Sequence, residues 1–171
     1  MINAFAIPGG HVFIYTGLLL EAENGAEVAC VLAHEIGHIT KYHGRNKLVG
    51  TELAGLAQQV LFGDSSTVAM AVSSLVANMA FLKFSRNNEF EADSCAVVYA
   101  SNAGINPRGM YTFLQKLGSN GQFEVFSTHP EINKRLKNVQ ETVIKTHNAP
   151  AEGTKLFAGE YVSILDELKT Y

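Results

Sequence analysis

The segment His34-Glu35-Ile36-Gly37-His38 holds the residue types of a hydrolytic metal site. On a helix its two histidines lie at i and i+4, on one face, where both rings can hold a single ion. Glu35 is turned about 100° around the axis, so it can reach a water on that ion without displacing it. Zinc is the metal this chemistry most often uses, with a fourth position open to water. The neighbours favour this over a surface helix with two solvated histidines. Val28, Ala29, Val31, Leu32, Ile36 and Ile39 make the stretch apolar on nearly every side, and polar groups buried in such a helix must be paired or ligated. Asn24-Gly25 marks a start, and no proline interrupts residues 26–42.

A third protein ligand decides the class. A metzincin would place glycine at 41 and histidine at 44, where this chain has Lys41 and Gly44. His43 comes one place too early and reads as a cap or surface residue near the helix end. Zincins of the thermolysin kind take a glutamate from the next helix. Ala57 stands in that neighbourhood, and Glu52 is the only acid near it. Residues 85–93 are the better source. Asn87 or Asn88 suits an N-cap, the helix runs to about Asn102, and Gly104 lies just past its end. Glu89 and Asp93 share a face, while Glu91 points elsewhere. One of the pair could bind metal while the other accepts a hydrogen bond from a ligand histidine. Spacing leaves those two roles unassigned. An acidic first turn favoured by the helix dipole would account for Glu89 and Glu91 without any metal, and less well for Asp93.

Five motifs in order then resemble a known family. They are Asn3-Ala4-Phe5-Ala6 with Pro8-Gly9-Gly10 and Gly17-Leu18-Leu19; the His34 helix; Ser85-Arg86; Glu89-Phe90-Glu91-Ala92-Asp93; and Thr128-His129-Pro130 with Arg135. The chain resembles the zinc metallopeptidases of the HtpX and CAAX-prenyl-protease type, in a soluble or peripheral branch, over about residues 3–136. The resemblance implies that His34, His38 and Glu89 ligate one zinc per chain, that Glu35 is the catalytic carboxylate, and that Asp93 supports the site. It also assigns His129 and Arg135 to the family's late His-Pro and Arg positions. Membrane-embedded relatives carry spanning helices between the metal motifs. Here residues 67–84 have no charge before Lys83, but Ser73, Ser74 and Asn78 interrupt them. The stripe Val68, Val72, Leu75, Met79 and Leu82 reads as a core helix rather than a span, which needs about 20 mostly apolar residues.

Composition agrees with a folded domain. Of 171 residues, 47% are hydrophobic and 17% charged, enough to build a core. A formal net charge of −3 without any basic run excludes the usual nucleic-acid footprint. Cys30 and Cys95 lack metal-ligand spacing. Cys30 reads as a buried thiol behind the site, and a Cys30–Cys95 disulfide is left open. That spacing also argues against a purely structural zinc site, which usually fills its four positions with cysteines and histidines. No targeting segment precedes the first motif, so the expectation is an excised or processed catalytic core. A cell-envelope or periplasmic setting, with a peripheral membrane or envelope partner, follows only from the resemblance.

The expected architecture is α+β and mainly α: a zincin-like metalloprotease core with an N-terminal β-hairpin packed on a helical bundle that carries the metal helices. One domain over 1–171 divides into the hairpin (1–20), the helical core (26–145), and a linker with a docked C-terminal tail (146–171). Residues 3–7 and 11–15 are the hairpin strands around Pro8-Gly9-Gly10, with His11 at the surface. A second amphipathic helix carries Leu53, Leu56, Ala57, Val60 and Leu61. Asn106-Pro107 opens a helix with Met110, Phe113, Leu114 and Leu117 inward and Gly118 at its end. Pro130 opens another with Ile132, Leu136, Val139 and Val143 on one face. The tail, with Leu156, Phe157, Val162, Ile164 and Leu165, docks as a strand and short helix.

The expected function is metal-dependent peptide hydrolysis. Glu35 moves the proton, and His129 and Arg135 offer positive charge to the oxyanion. On its loop, His129 could instead swing in and occupy the metal's open position. The substrate is an extended polypeptide adding beside the strand Val12, Phe13, Ile14, Tyr15 and Thr16. The competing expectation is a weakly active or inactive chaperone-like binding module that keeps the zinc site.

Overall fold

The Pro8-Gly9-Gly10 punctuation does make a hairpin. Strand β1 (Ala4–Ala6) pairs antiparallel with β2 (Val12–Ile14), with Phe5 opposite Phe13 and the two rings stacked 4.9 Å apart. Gly9 and Gly10 both adopt positive φ, which the turn requires and glycine supplies without a steric penalty. The structure, a computed structural model, describes residues 1–49, 82–120, 129, 131–146 and 156–169, together with 66, 69, 70, 73 and 74. The second amphipathic helix and most of the 67–84 stretch lie outside the described residues. Ser66, Ala69, Met70, Ser73 and Ser74 are helical, whereas residues 82–84 are not, so the expected helix does not run to Phe84. Among the described residues no helix is long and apolar enough to cross a membrane.

The strand expected to reach Thr16 ends at Ile14. Tyr15 is the N-cap of a short helix, α1 (Thr16–Glu21), and Thr16 is its first residue. The metal helix α2 (Gly25–Thr40) starts where Asn24 accepts a hydrogen bond from the Glu27 amide, an N-cap that satisfies an orphan donor. α2 is not buried all round, because the apolar Ile36 is 42% exposed. Its buried face carries Ala26, Cys30, Val31, Ala33, His34 and His38. A further helix, α3 (His43–Val49), follows directly.

Helix α4 (Arg86–Asn102) begins two residues earlier than expected. Ser85 caps it, accepting from the Asn88 amide while the Asn88 side chain answers the Ser85 amide. Helix α5 (Arg108–Asn120) runs through Gly118 and buries Met110, Phe113, Leu114 and Leu117 as its periodicity predicted. Helix α6 (Ile132–Thr146) buries Ile132 and Val139, with Leu136 and Val143 packed alongside. Helix α7 (Ala158–Leu168) forms the described tail, with no strand among residues 156–169. It docks through Tyr161, whose hydroxyl donates to the Leu19 carbonyl, and not through Val162 or Ile164, which are exposed.

The predicted class, mainly helical with a small antiparallel sheet, is the observed one. α2 lies across α4 and α5, and α6 closes over both. One cluster of buried side chains joins β1, α1, α2, α4, α5, α6 and α7. At the start of α2 the buried Glu27 accepts from Thr112 (2.7 Å) and pairs with Lys116 (2.9 Å), tying α2 to α5 with its charge satisfied. Midway along α2, Gly37 is the contact point with α4. A Cβ there would meet Ala92 Cα at 3.1 Å and Cys95 Cβ at 3.0 Å. A glycine between the two histidines thus brings the acidic face of α4 up to the ligand face of α2.

Candidate active site

The expected residues converge on one buried point. His34 Nε2 and His38 Nε2 lie 3.0 Å apart, as i,i+4 partners on α2. Glu89, in the first turn of α4, places Oε2 3.6 Å from His34 Nε2 and Oε1 3.5 Å from His38 Nε2. His129 closes the fourth side, with Nδ1 3.1 Å from Glu89 Oε2. One ligand atom from each of these four buried residues lies within 4.8 Å of all the others.

The two acids that share a face of α4 take different positions. Glu89 meets the Nε2 side of the ring pair, while Asp93 Oδ1 lies 2.9 Å from His34 Nδ1, on the far side of that ring. Arg135 of α6 grips both Asp93 oxygens, through Nε (2.9 Å) and Nη2 (2.7 Å), and reaches Glu89 Oε2 with Nη1 at 3.0 Å. It also reaches the His129 carbonyl with Nη1 at 3.4 Å and His34 Nδ1 with Nη2 at 3.5 Å. Burial alone would raise the Asp93 pKa, but the guanidinium charge holds it down at about 2. Burial likewise opposes ionisation of Glu89, and His129 and Arg135 together bring it below the ordinary glutamate value. Burial, and then His34, His129 and His43, push His38 well below the usual histidine value, leaving its lone pair free to ligate. Burial also works against protonation of His129, yet Glu89 and Glu35 raise it above the usual histidine value.

Glu35 is 2% exposed, with Oε1 3.7 Å from His129 Nε2. Among the described residues its Oε2 has no hydrogen-bond partner. An orphaned buried carboxylate oxygen beside four convergent donors fits a divalent ion and its water, because that atom is otherwise uncompensated. The donor set, two imidazoles and a carboxylate with one further imidazole, is one that zinc and its neighbours accept.

His43 is corrected. It is neither a surface residue nor a cap, but is 4% exposed with its ring against His38. Glu91 does point elsewhere, toward Lys41 and His43. Cys30 and Cys95 are free and buried, and burial raises the Cys30 thiol to about 12.

A helix-borne His-Glu-x-x-His, a glutamate from a second helix and an ionised Asp–Arg support define a metal-dependent hydrolase of the zincin kind. Comparison with known proteins places it further: the description of peptidase family M48 matches residues 1–143, and the chain belongs to that family. It is 32% identical over 161 residues to the mitochondrial metalloendopeptidase OMA1 of Arabidopsis thaliana, covering 90% of this chain and 33% of that protein. It is 31% identical over 176 aligned positions to the beta-barrel assembly-enhancing protease of Yersinia pestis, covering 92% of this chain and 36% of that one. The Escherichia coli K12 protein of the same name is 30% identical over 156 residues, with 81% and 32% covered. The chain thus spans about a third of the length of the curated relatives it matches.

Proposed function

We propose that this chain is the catalytic portion of a zinc-dependent metalloendopeptidase that cuts polypeptides in protein quality control of the cell envelope. The observation that carries the reading is the Glu35 Oε2, without a partner among the described residues, beside the His34, His38 and Glu89 donors. When bound, the metal supplies Lewis acidity to water and to a peptide carbonyl. Glu35 takes the attacking water's proton and delivers it to the leaving amine. His129, its proton held by Glu89 and Glu35, donates to the developing oxyanion. Arg135 has its donors directed at Asp93, Glu89, His34 and the His129 carbonyl, which supports a positioning role rather than direct contact with substrate. The envelope setting is supported by likeness to β-barrel assembly-enhancing proteases, since closed barrels of that sort sit in outer membranes.

The substrate is read as an extended polypeptide that adds to the hairpin. Residues Val12, Phe13 and Ile14 of β2 were the expected edge, but β1 is the strand nearer the ligands. Ala4 borders His34 and Glu35, and Ala6 borders a groove of about 320 Å³ lined also by Pro8, His38, Tyr42 and Phe84. Ile7 and Asn3 bond across to His11 and Tyr15, so by antiparallel alternation the Ala6 amide and carbonyl turn away from β2. That edge is the proposed substrate edge, and the groove receives an apolar side chain.

The test is Glu35→Gln against a casein or peptide-library digest with a chelator control. Cleavage should fall about 10²–10⁴-fold while metal content stays near one per chain. Unchanged cleavage sinks the protease reading. Wild type that binds zinc and cleaves nothing favours the chaperone-like binding module instead. A second role for His129 is supported by its place among the four convergent ligand atoms: it closes the metal's open position at rest. His129→Ala should then raise access of a hydroxamate inhibitor. Equal zinc binding with unaltered inhibitor access and basal activity removes that role.

A further inference from the structure

Resting on the metal-site reading above, we infer that His43 is a positioning residue for His38. With Glu91 it fixes which ring nitrogen of His38 faces the metal and holds the ring there. His38 turns Nε2 to the site. A ligating nitrogen carries no proton, so the proton of the neutral ring sits on Nδ1. His38 Nδ1 lies 2.9 Å from His43 Nδ1, which must therefore be the acceptor. The His43 proton is then on Nε2, 3.1 Å from Glu91 Oε2, a carboxylate oxygen that can only accept. Each bond dictates the next, and the three groups share one proton arrangement with no change of charge.

The backbone is shaped to build this contact. On an unbroken helix, His43 would lie about 140° around the axis from His38, too far for ring contact. Tyr42 adopts φ 56°, a left-handed conformation seldom taken by a non-glycine residue, and a new helix starts at His43. The break folds the His43 ring back over His38. On the other side Phe84 stacks on the His38 ring, centroids 4.1 Å apart and planes 24° off parallel. A face-on stack and an edge-on hydrogen bond together leave the ring one orientation.

The test uses the whole chain and zinc itself. His43→Phe keeps a buried aromatic but removes the acceptor. His43→Gln restores both an acceptor for His38 and a donor for Glu91. Chelator competition should show zinc affinity about 10–100-fold weaker in His43→Phe and mostly recovered in His43→Gln. In the metal-free protein, ¹⁵N shifts should report His38 as the Nδ1–H tautomer in wild type and His43→Gln, and as a mixture in His43→Phe. Zinc binding by His43→Phe within twofold of wild type, with the tautomer unmoved, overturns the inference, and so does a His43→Gln as weak as His43→Phe. If His43→Phe does not fold, Glu91→Leu at the surface takes its place, and there an unchanged affinity and tautomer overturn the inference. Wild type that binds no zinc removes the metal-site reading as well, whereas wild type that binds while the variants match it removes the relay alone.

Discussion

His34 and His38 face the same point from one helix, yet the groups behind them differ in charge and depth. Behind His34 stands Asp93, both of whose oxygens are held by Arg135, and that guanidinium also neutralises Glu89. All four residues are 3% exposed or less. Behind His38 stands an imidazole, His43, and only beyond it a carboxylate, Glu91, which is 47% exposed and shared with Lys41 at 2.9 Å. The contrast shows two ways to orient a ligand ring. A carboxylate placed directly behind it is buried and needs a matched cation, because a lone buried charge is strongly destabilising. A relay through an imidazole carries a carboxylate's directing effect inward while the carboxylate itself stays in water.

The comparison breaks most severely at Arg135. Arg135→Met leaves Asp93 buried without its cation and takes from Glu89 one of its two positive partners, and should lose about 3–5 kcal/mol of stability, read by urea unfolding of the metal-free protein. Unfolding together with wild type would mean that the inner pair is not held by that cation. The next effect is on acid stability. Asp93 is depressed to about 2 and Glu89 is also lowered. A depressed carboxylate contributes stability above its unfolded value near 3.9 and loses it as pH falls through the folded value. Metal-free wild type should therefore weaken between about pH 4 and 2, by at most about 1.4 kcal/mol per pH unit for each such group. Arg135→Met should give a flatter profile, and equal slopes would contradict the pairing. The smallest effect is at the surface. Glu91→Gln keeps an acceptor for His43 and should change stability by less than about 0.5 kcal/mol, since the pair it breaks is solvated and screened. In 1 M salt, where the Debye length is about 3 Å, that difference should vanish while the Arg135→Met loss persists.

What the sequence made legible follows periodicity and capping. The i,i+4 histidines, the inward faces of α5 and α6 and the glycine-turned hairpin are all local signals, and each formed. Glu89 and Asp93 stayed tied because both lie on one face of α4. They separate only through the crossing with α2, which aims Glu89 at the Nε2 atoms and Asp93 at Nδ1 of His34. His43 was hidden because its contact with His38 depends on Tyr42 leaving helical geometry, and a tyrosine announces no such break. Helix α1 escaped for a similar reason, since its N-cap Tyr15 makes no side-chain capping bond. The tail's docking rests on Tyr161 and the Leu19 carbonyl, a distant pairing that no window of sequence contains.

Gly37 sets a gauge for the whole centre. With no side chain at that crossing, α2 approaches α4 so closely that a Cβ at position 37 would press on the Ala92 backbone and the Cys95 Cβ. Any larger residue at position 37 would have to push the two helices apart, and would carry the Glu89 backbone away from the imidazole pair with them.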